Sequence, residues 1–218
     1  MKIVAMGGRP EPPLWDYVLG LVRRQPPRIC DVPTASAEGA DWIVWFYEQF
    51  RGRGELSHLK FFPWPPDDLR QFVLDQDMLI VPGGNTANML AIWRLHGFDT
   101  IVREAWEEGV VLTGWSAGMI CWFEAAVTDS FGPQLEGMRD GLGFLSGSAC
   151  PHYDGEELRR PAYRRLVDEG FPPGIAADDG VAVRYEGTEL AEVVTVREDA
   201  TAYLVEPASE TPLPARPL

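Results

Sequence analysis

The chain has 218 residues, 45% of them hydrophobic and 24% charged, a globular composition that excludes disorder or a fibrous repeat and suits one large domain. Acidic residues outnumber basic ones 33 to 19, a formal net charge of −14, so nucleic acid and anionic membrane surfaces are not expected as partners. Cys30, Cys121 and Cys150 lie far apart without CxxC spacing, which argues against a disulfide framework or a structural zinc site.

The N-terminus reaches Gly7-Gly8 after one short apolar run, leaving no room for a secretory signal, and no segment approaches the roughly 20 apolar residues of a membrane span. A cytoplasmic protein is expected. Apolar runs at Lys2–Met6, Arg28–Val32 and Leu59–Phe62 read as strands that alternate with helical segments at Leu14–Arg24 and Ala40–Arg51. This is the βαβ rhythm of a mainly parallel sheet. Met78–Val81 then leads through Pro82-Gly83-Gly84-Asn85-Thr86 into a helix capped by Thr86, and Val110–Thr113 leads through Gly114-Trp115-Ser116 into another at Met119–Ala125. Leu145–Cys150 reads as a strand and Glu156–Asp168 as a helix, while Ala176–Tyr185 and Glu192–Val205 are β-rich. The expected fold class is α/β: one three-layer domain over residues 1–206, a mainly parallel sheet with helices on both faces. Residues 207–218 form a loose Pro-rich C-terminal tail.

In an open α/β sheet the ligand crevice lies beyond the carboxyl ends of the strands, so the two glycine-rich turns should open on the same edge. Gly114-Trp115-Ser116-Ala117-Gly118 fits a nucleophile elbow, where a strained turn lifts a serine hydroxyl above the sheet and flanking side chains would collide with backbone. The plainer alternative is a Gly-Ser turn that packs a helix on the sheet.

A serine nucleophile needs a base within hydrogen-bond reach and a third group to orient that base. Of the three histidines, His58 and His96 read as surface or capping residues. His152 follows a strand end and is the candidate base, against the alternative of a solvated loop histidine. The developing oxyanion needs donors, and the backbone amides of Ala117 and Gly84 are the candidates. His152-Tyr153-Asp154 offers too few ligands for a metal, and Cys150 reads as buried strand filler. No metal or organic cofactor is expected.

Gly83-Gly84-Asn85-Thr86, the elbow, Pro151-His152 and a late acid before glycine, taken together and in this order, resemble peptidase E, the aspartyl dipeptidase family, and more distantly cyanophycinase. The likeness covers most of residues 1–205. It implies a glutamine-amidotransferase-like, flavodoxin-like sheet with Ser116 as nucleophile, His152 as proton relay and an acid from Asp178-Asp179-Gly180. The family's usual acid is Glu, and the matching position here is Asp179. A side chain one methylene shorter reaches His152 only if the backbone lies roughly 1.5 Å closer. Asp178 and Asp129 are the alternatives, and the acidic pair also fits a plain hairpin turn.

The resemblance implies hydrolysis of small peptides, including dipeptides with an N-terminal Asp, through an acyl-enzyme. Such a substrate requires a cation for its carboxylate. The arginines at 159, 160, 164 and 165 read equally as an exposed charged face. A related serine hydrolase without Asp-Xaa activity and an inert binding module on the same fold are the competing readings. Trp42, Trp45 and Trp64 are candidates for a homodimer interface or for packing on the sheet.

Overall fold

A computed structural model describes all residues, 1–218. Its α/β architecture divides the strands between two sheets. The first is built from β1 (Lys2–Met6), β2 (Arg28–Asp31), β3 (Glu55–His58), β4 (Met78–Val81), β5 (Val111–Trp115), β10 (Val181–Glu186), β11 (Glu189–Thr195) and β14 (Arg216–Pro217), in the order β14-β11-β10-β1-β5-β4-β2-β3. Its β1-β5-β4-β2-β3 block is wholly parallel. Strands β4 and β5 are buried along their whole length, as parallel strands covered on both faces must be; β4 is wholly apolar, and the one polar side chain of β5, Thr113, donates to the Val4 carbonyl at 2.9 Å.

The second sheet holds β6 (Phe123–Thr128), β7 (Glu136–Met138), β8 (Leu145–Cys150), β9 (Gly174–Ala177), β12 (Ala202–Glu206) and β13 (Ser209–Leu213), in the order β13-β12-β9-β8-β6-β7. Helices α1 (Pro12–Leu19) and α2 (Ala40–Gln49) cover one face of the first sheet through Leu14, Trp15, Val18, Phe46 and Phe50. On its other face lie α3 (Leu69–Leu74), α4 (Thr86–Leu95), α5 (Phe98–Glu107), α6 (Ala117–Ile120) and the second sheet, in one continuous apolar core. Helix α7 (Arg159–Asp168) covers the far side of the second sheet through Tyr163 and Val167.

Several local expectations are corrected. The third strand is Glu55–His58 and not Leu59–Phe62, because Glu38 takes the amides of Phe61 and Phe62 with its carboxylate and so withdraws them from a sheet ladder. The helix after the elbow ends at Ile120, and the chain then joins the second sheet, where Phe123 pairs with Leu145. Asn85, not Thr86, caps α4 by accepting the Asn88 amide at 2.8 Å. The run after Gly97, to which the sequence reading assigns no element, forms α5.

The tail at 207–218 is not loose. Residues Ser209–Leu213 pair antiparallel with β12, and Arg216–Pro217 pair with β11. Both are outermost strands of their sheets, the place where a residue without a backbone N–H, such as Pro212 or Pro217, interrupts no central ladder. No helix is long and apolar enough to cross a membrane.

Candidate active site

Strands β1, β4 and β5 end together, and the predicted site residues gather beyond their carboxyl ends. Ser116 adopts φ 54°, ψ −112°, a left-handed backbone costly for a residue with a Cβ. It is held there from both sides. Its amide donates to the Met6 carbonyl at 3.3 Å, and its own carbonyl accepts the amides of Met119 and Ile120 at 2.9 and 3.1 Å. The flanking glycines are sterically required: a Cβ on Gly114 would lie 2.1 Å, and one on Gly118 1.9 Å, from the Val81 carbonyl oxygen.

The Gly83-Gly84 turn after β4 lies against the serine. A Cβ on Gly83 would stand 3.3 Å from Ser116 Cβ. Gly84, with φ 141°, has no room for a side chain, because a Cβ would meet the Ala35 oxygen at 2.1 Å. The same carbonyl accepts the Asn85 amide at 2.8 Å, and Ser130 Oγ accepts the amides of Thr86 and Ala87 at 3.0 and 3.3 Å. The turn that carries the Gly84 amide is thus braced by the 3-10 helix Pro33–Ser36 and by the loop at Ser130, and Ala117 begins the short helix after the serine.

His152 also has a left-handed backbone, with φ 51°. Its amide donates to the Gly7 carbonyl at 3.1 Å, so Ser116 and His152 are tethered to consecutive carbonyls at the end of β1. Its Nδ1 lies 2.7 Å from Asp179 Oδ1. An ionised carboxylate only accepts, so Nδ1 carries the shared proton and Nε2 is the nitrogen left for another partner. This hydrogen bond, with the positive charges of Arg197 and Arg159 behind it, holds the Asp179 carboxyl below its ordinary value. Ser116 Oγ makes no hydrogen bond in this structure; contacts of this type commonly tighten only around substrate.

The other two acids are engaged elsewhere. Asp178 turns away and accepts the Thr201 amide at 3.0 Å, and burial pushes its carboxyl up to about 6. Asp129 lies 3.9 Å from Arg159 on the surface. His58 contacts the Tyr47 hydroxyl at 3.0 Å, and His96 ends α4 with its ring against Phe61. Cys150 is fully buried, with its thiol pushed up to about 12. No group of three or more His, Cys, Asp or Glu side chains is arranged to hold a metal ion.

Sequence reasoning missed several residues around this centre. Arg159 is buried rather than part of an exposed face, with its Nε donating to Glu156 at 2.8 Å and Nη1 to the Val127 carbonyl at 3.4 Å. Arg9 follows β1 and lies exposed over the rings of Trp45 and Trp42, 4.4 and 5.0 Å from their centroids, without an ion-pair partner. Both indoles pack on Trp115, each at 5.9 Å, while Trp64 is 81% exposed. Glu210, from the supposed tail, accepts the Tyr153 hydroxyl at 2.5 Å and pairs with Arg160. Asp154 and Arg197 grip the turn that carries Asp179. Apart from the Glu156–Arg159 pair, three residues apart, these contacts have no local sequence signal, since their partners are far apart in the chain.

A separate cavity of about 640 Å³ opens at the opposite ends of β1 and β5, between Lys2, Arg24, Arg70, Asp77 and Glu104. Its Arg70 and Glu104 neutralise each other, and it lacks a nucleophile–base pair. The histidine–carboxylate pair and the elbow serine lie at the other edge.

The sheet order, the elbow serine and the histidine–carboxylate pair define a flavodoxin-like α/β protein of the peptidase E type. Two solved structures share the fold: a peptidase from an acI-B1 actinobacterium, with TM-score 0.71, 19% identity, and coverage of 98% of this chain and 94% of that one; and a putative peptidase E protein from Listeria monocytogenes, with TM-score 0.68, 17% identity, and coverage of 90% and 98%.

The model of peptidase family S51 matches residues 4–193, and the chain belongs to that family. It is similar to the uncharacterized peptidase YgaJ of Bacillus subtilis, at 47% identity over 99% of this chain and 98% of the relative. It also resembles peptidase E of Shewanella denitrificans, at 28% identity over 57% of each chain.

Proposed function

We propose that this peptidase-family protein cleaves small peptides by a serine mechanism. Ser116 attacks the scissile carbonyl, and His152 takes the serine proton at Nε2 and returns it to the leaving amine. Asp179 holds the imidazole in the required tautomer and balances its charge, while the amides of Gly84 and Ala117 receive the oxyanion. Water then hydrolyses the acyl-enzyme by the same proton route in reverse. The observation that carries this reading is the 2.7 Å contact of His152 Nδ1 with Asp179, on the sheet edge where Ser116 sits in a strained left-handed turn.

The substrate class is a dipeptide, with N-terminal aspartate as the first candidate. Its carboxylate needs a guanidinium; of the arginines near the site, Arg159 and Arg197 are paired with Glu156 and Asp154, and Arg9 is exposed without an ion-pair partner. The decisive experiment is labelling of Ser116 by a fluorophosphonate, followed by hydrolysis of Asp-Xaa against other dipeptides. Labelling with cleavage only of other dipeptides would leave the mechanism and remove the aspartyl preference. No adduct, with ligand binding intact in Ser116→Ala, would point to an inert binding module.

A further inference from the structure

The turn that carries Asp179 connects the two sheets: it leaves β9 of the second and enters β10 of the first. A second crossing, residues 196–201, runs back from β11 to β12. The two are laced together. The Asp178 amide donates to the Thr201 carbonyl at 3.1 Å, and the Val196 amide to the Gly180 carbonyl at 3.0 Å.

At the centre of this lacing is a clasp made by Asp154 and Arg197. Asp154 Oδ1 accepts the Asp179 amide at 2.8 Å, and Asp154 Oδ2 accepts Arg197 Nη1 at 2.6 Å. The same Nη1 donates to the Asp179 carbonyl at 3.0 Å. Arg197 is fixed in turn: its backbone amide donates to Thr195 Oγ1 at 3.0 Å, and that hydroxyl donates to the Arg197 carbonyl at 2.8 Å. Both backbone polar groups of Asp179 therefore end on this pair of side chains.

The Asp179 side chain is 40% exposed, so burial alone does not hold its carboxylate against His152. A short side chain follows its backbone closely, and here the backbone is what is held. We infer that Asp154 and Arg197 are positioning residues for the His152–Asp179 pair, and that they act as one unit. This rests on the proposed role of Asp179, but it can be read without turnover.

The test uses Arg197→Met, Asp154→Asn, the double variant and Arg197→Lys, in the full chain. The expected result is a loss of about 10²-fold in kcat with little change in KM, the size expected when a catalytic group is displaced by about 1 Å. Fluorophosphonate labelling of Ser116 should slow to match. The low-field proton resonance of the His152–Asp179 hydrogen bond should weaken or vanish. The double variant should be no worse than either single one, as for groups that act together, and Arg197→Lys should recover part of the rate.

Unchanged kcat with the resonance intact in folded Arg197→Met and Asp154→Asn would overturn the inference, as would losses that simply add. If the parent protein neither cleaves peptides nor labels at Ser116, the proposed function fails. The resonance then still reports whether the clasp positions Asp179.

Discussion

Gly8 and Asp179 are in contact without a side chain between them: a Cβ on Gly8 would lie 2.1 Å from Asp179 Oδ1. Gly155 does the same on the other side, with a Cβ position 2.2 Å from Oδ2. The carboxylate that meets His152 therefore occupies a slot left open by two glycines, which is how a side chain as short as Asp approaches the ring so closely.

Gly8→Ala tests that slot. The atom in the way is the end of a side chain and not backbone, so the carboxylate swings aside and the fold survives. The expected outcome is a kcat reduced at least about 10²-fold with a melting temperature near that of the parent. A fully active, equally stable Gly8→Ala would mean that Asp179 works from another position.

The acid itself is read by Asp179→Asn, which should lower kcat by about 10⁴-fold because the amide favours the wrong imidazole tautomer. Asp129→Asn should leave turnover unchanged, since Asp129 faces Arg159 and solvent. Steady-state kinetics of the two variants decide between them, and normal turnover in Asp179→Asn would remove it from the mechanism.

Gly118→Ala should behave differently from Gly8→Ala, because its Cβ would meet the Val81 carbonyl oxygen at 1.9 Å. Backbone cannot swing away. The elbow must distort, with a stability loss of about 3 kcal/mol or more, in the range reserved for backbone strain and overpacking. Chemical denaturation measures it.

Asp31, at the end of β2, is buried, and burial alone pushes its carboxyl up to about 8. In the unfolded chain it ionises near pH 4, whereas the folded protein retains the proton to about pH 8. The folded state thus binds more protons between these values, and this group's contribution falls as pH rises through that window and levels off above it. Asp31→Asn should flatten the slope and gain on the order of a few kcal/mol relative to the parent at pH 9, with little relative gain at pH 4. Urea titrations at the two pH values give the comparison, and identical pH slopes would contradict the assignment.

Glu210→Ala leaves the Tyr153 hydroxyl and Arg160 without their carboxylate. The expected cost is about 1–3 kcal/mol, from the largely buried Tyr153 hydroxyl left unpaired, with the exposed Arg160 adding little. Because Tyr153 follows His152 directly, turnover should fall as well. Truncation at residue 206 should cost more, since it also removes β13 and β14.

What the amino-acid sequence determined by itself was local. Largely apolar runs specified β1, β4 and β5, because a strand buried along nearly its whole length has few polar positions to obscure it, whereas β2 and β8 were legible near their observed bounds despite polar positions at Arg28, Asp31, Ser146 and Ser148. Gly114-Trp115-Ser116-Ala117-Gly118 announced the elbow because its geometry depends on five consecutive residues and the strand end beneath them. His152 was legible for the same reason, standing just beyond a strand. The division into two sheets and the paired tail were not legible, since they depend on which strands become neighbours.

The residues by themselves left Asp178 and Asp179 open, and it was the resemblance that singled out Asp179, the one found against His152. The chain turns tightly here, the Val181 amide donating to the Asp178 carbonyl at 3.2 Å, and the two acids diverge, one into a largely buried contact with the Thr201 amide and the other to His152. Only the crossing between sheets decides which is which. The same crossing sets Asp179 against Gly8 and Gly155, and the return crossing brings Arg197 to Asp154. These contacts join residues from distant parts of the chain, and their selection comes from strand register and packing rather than from any local preference.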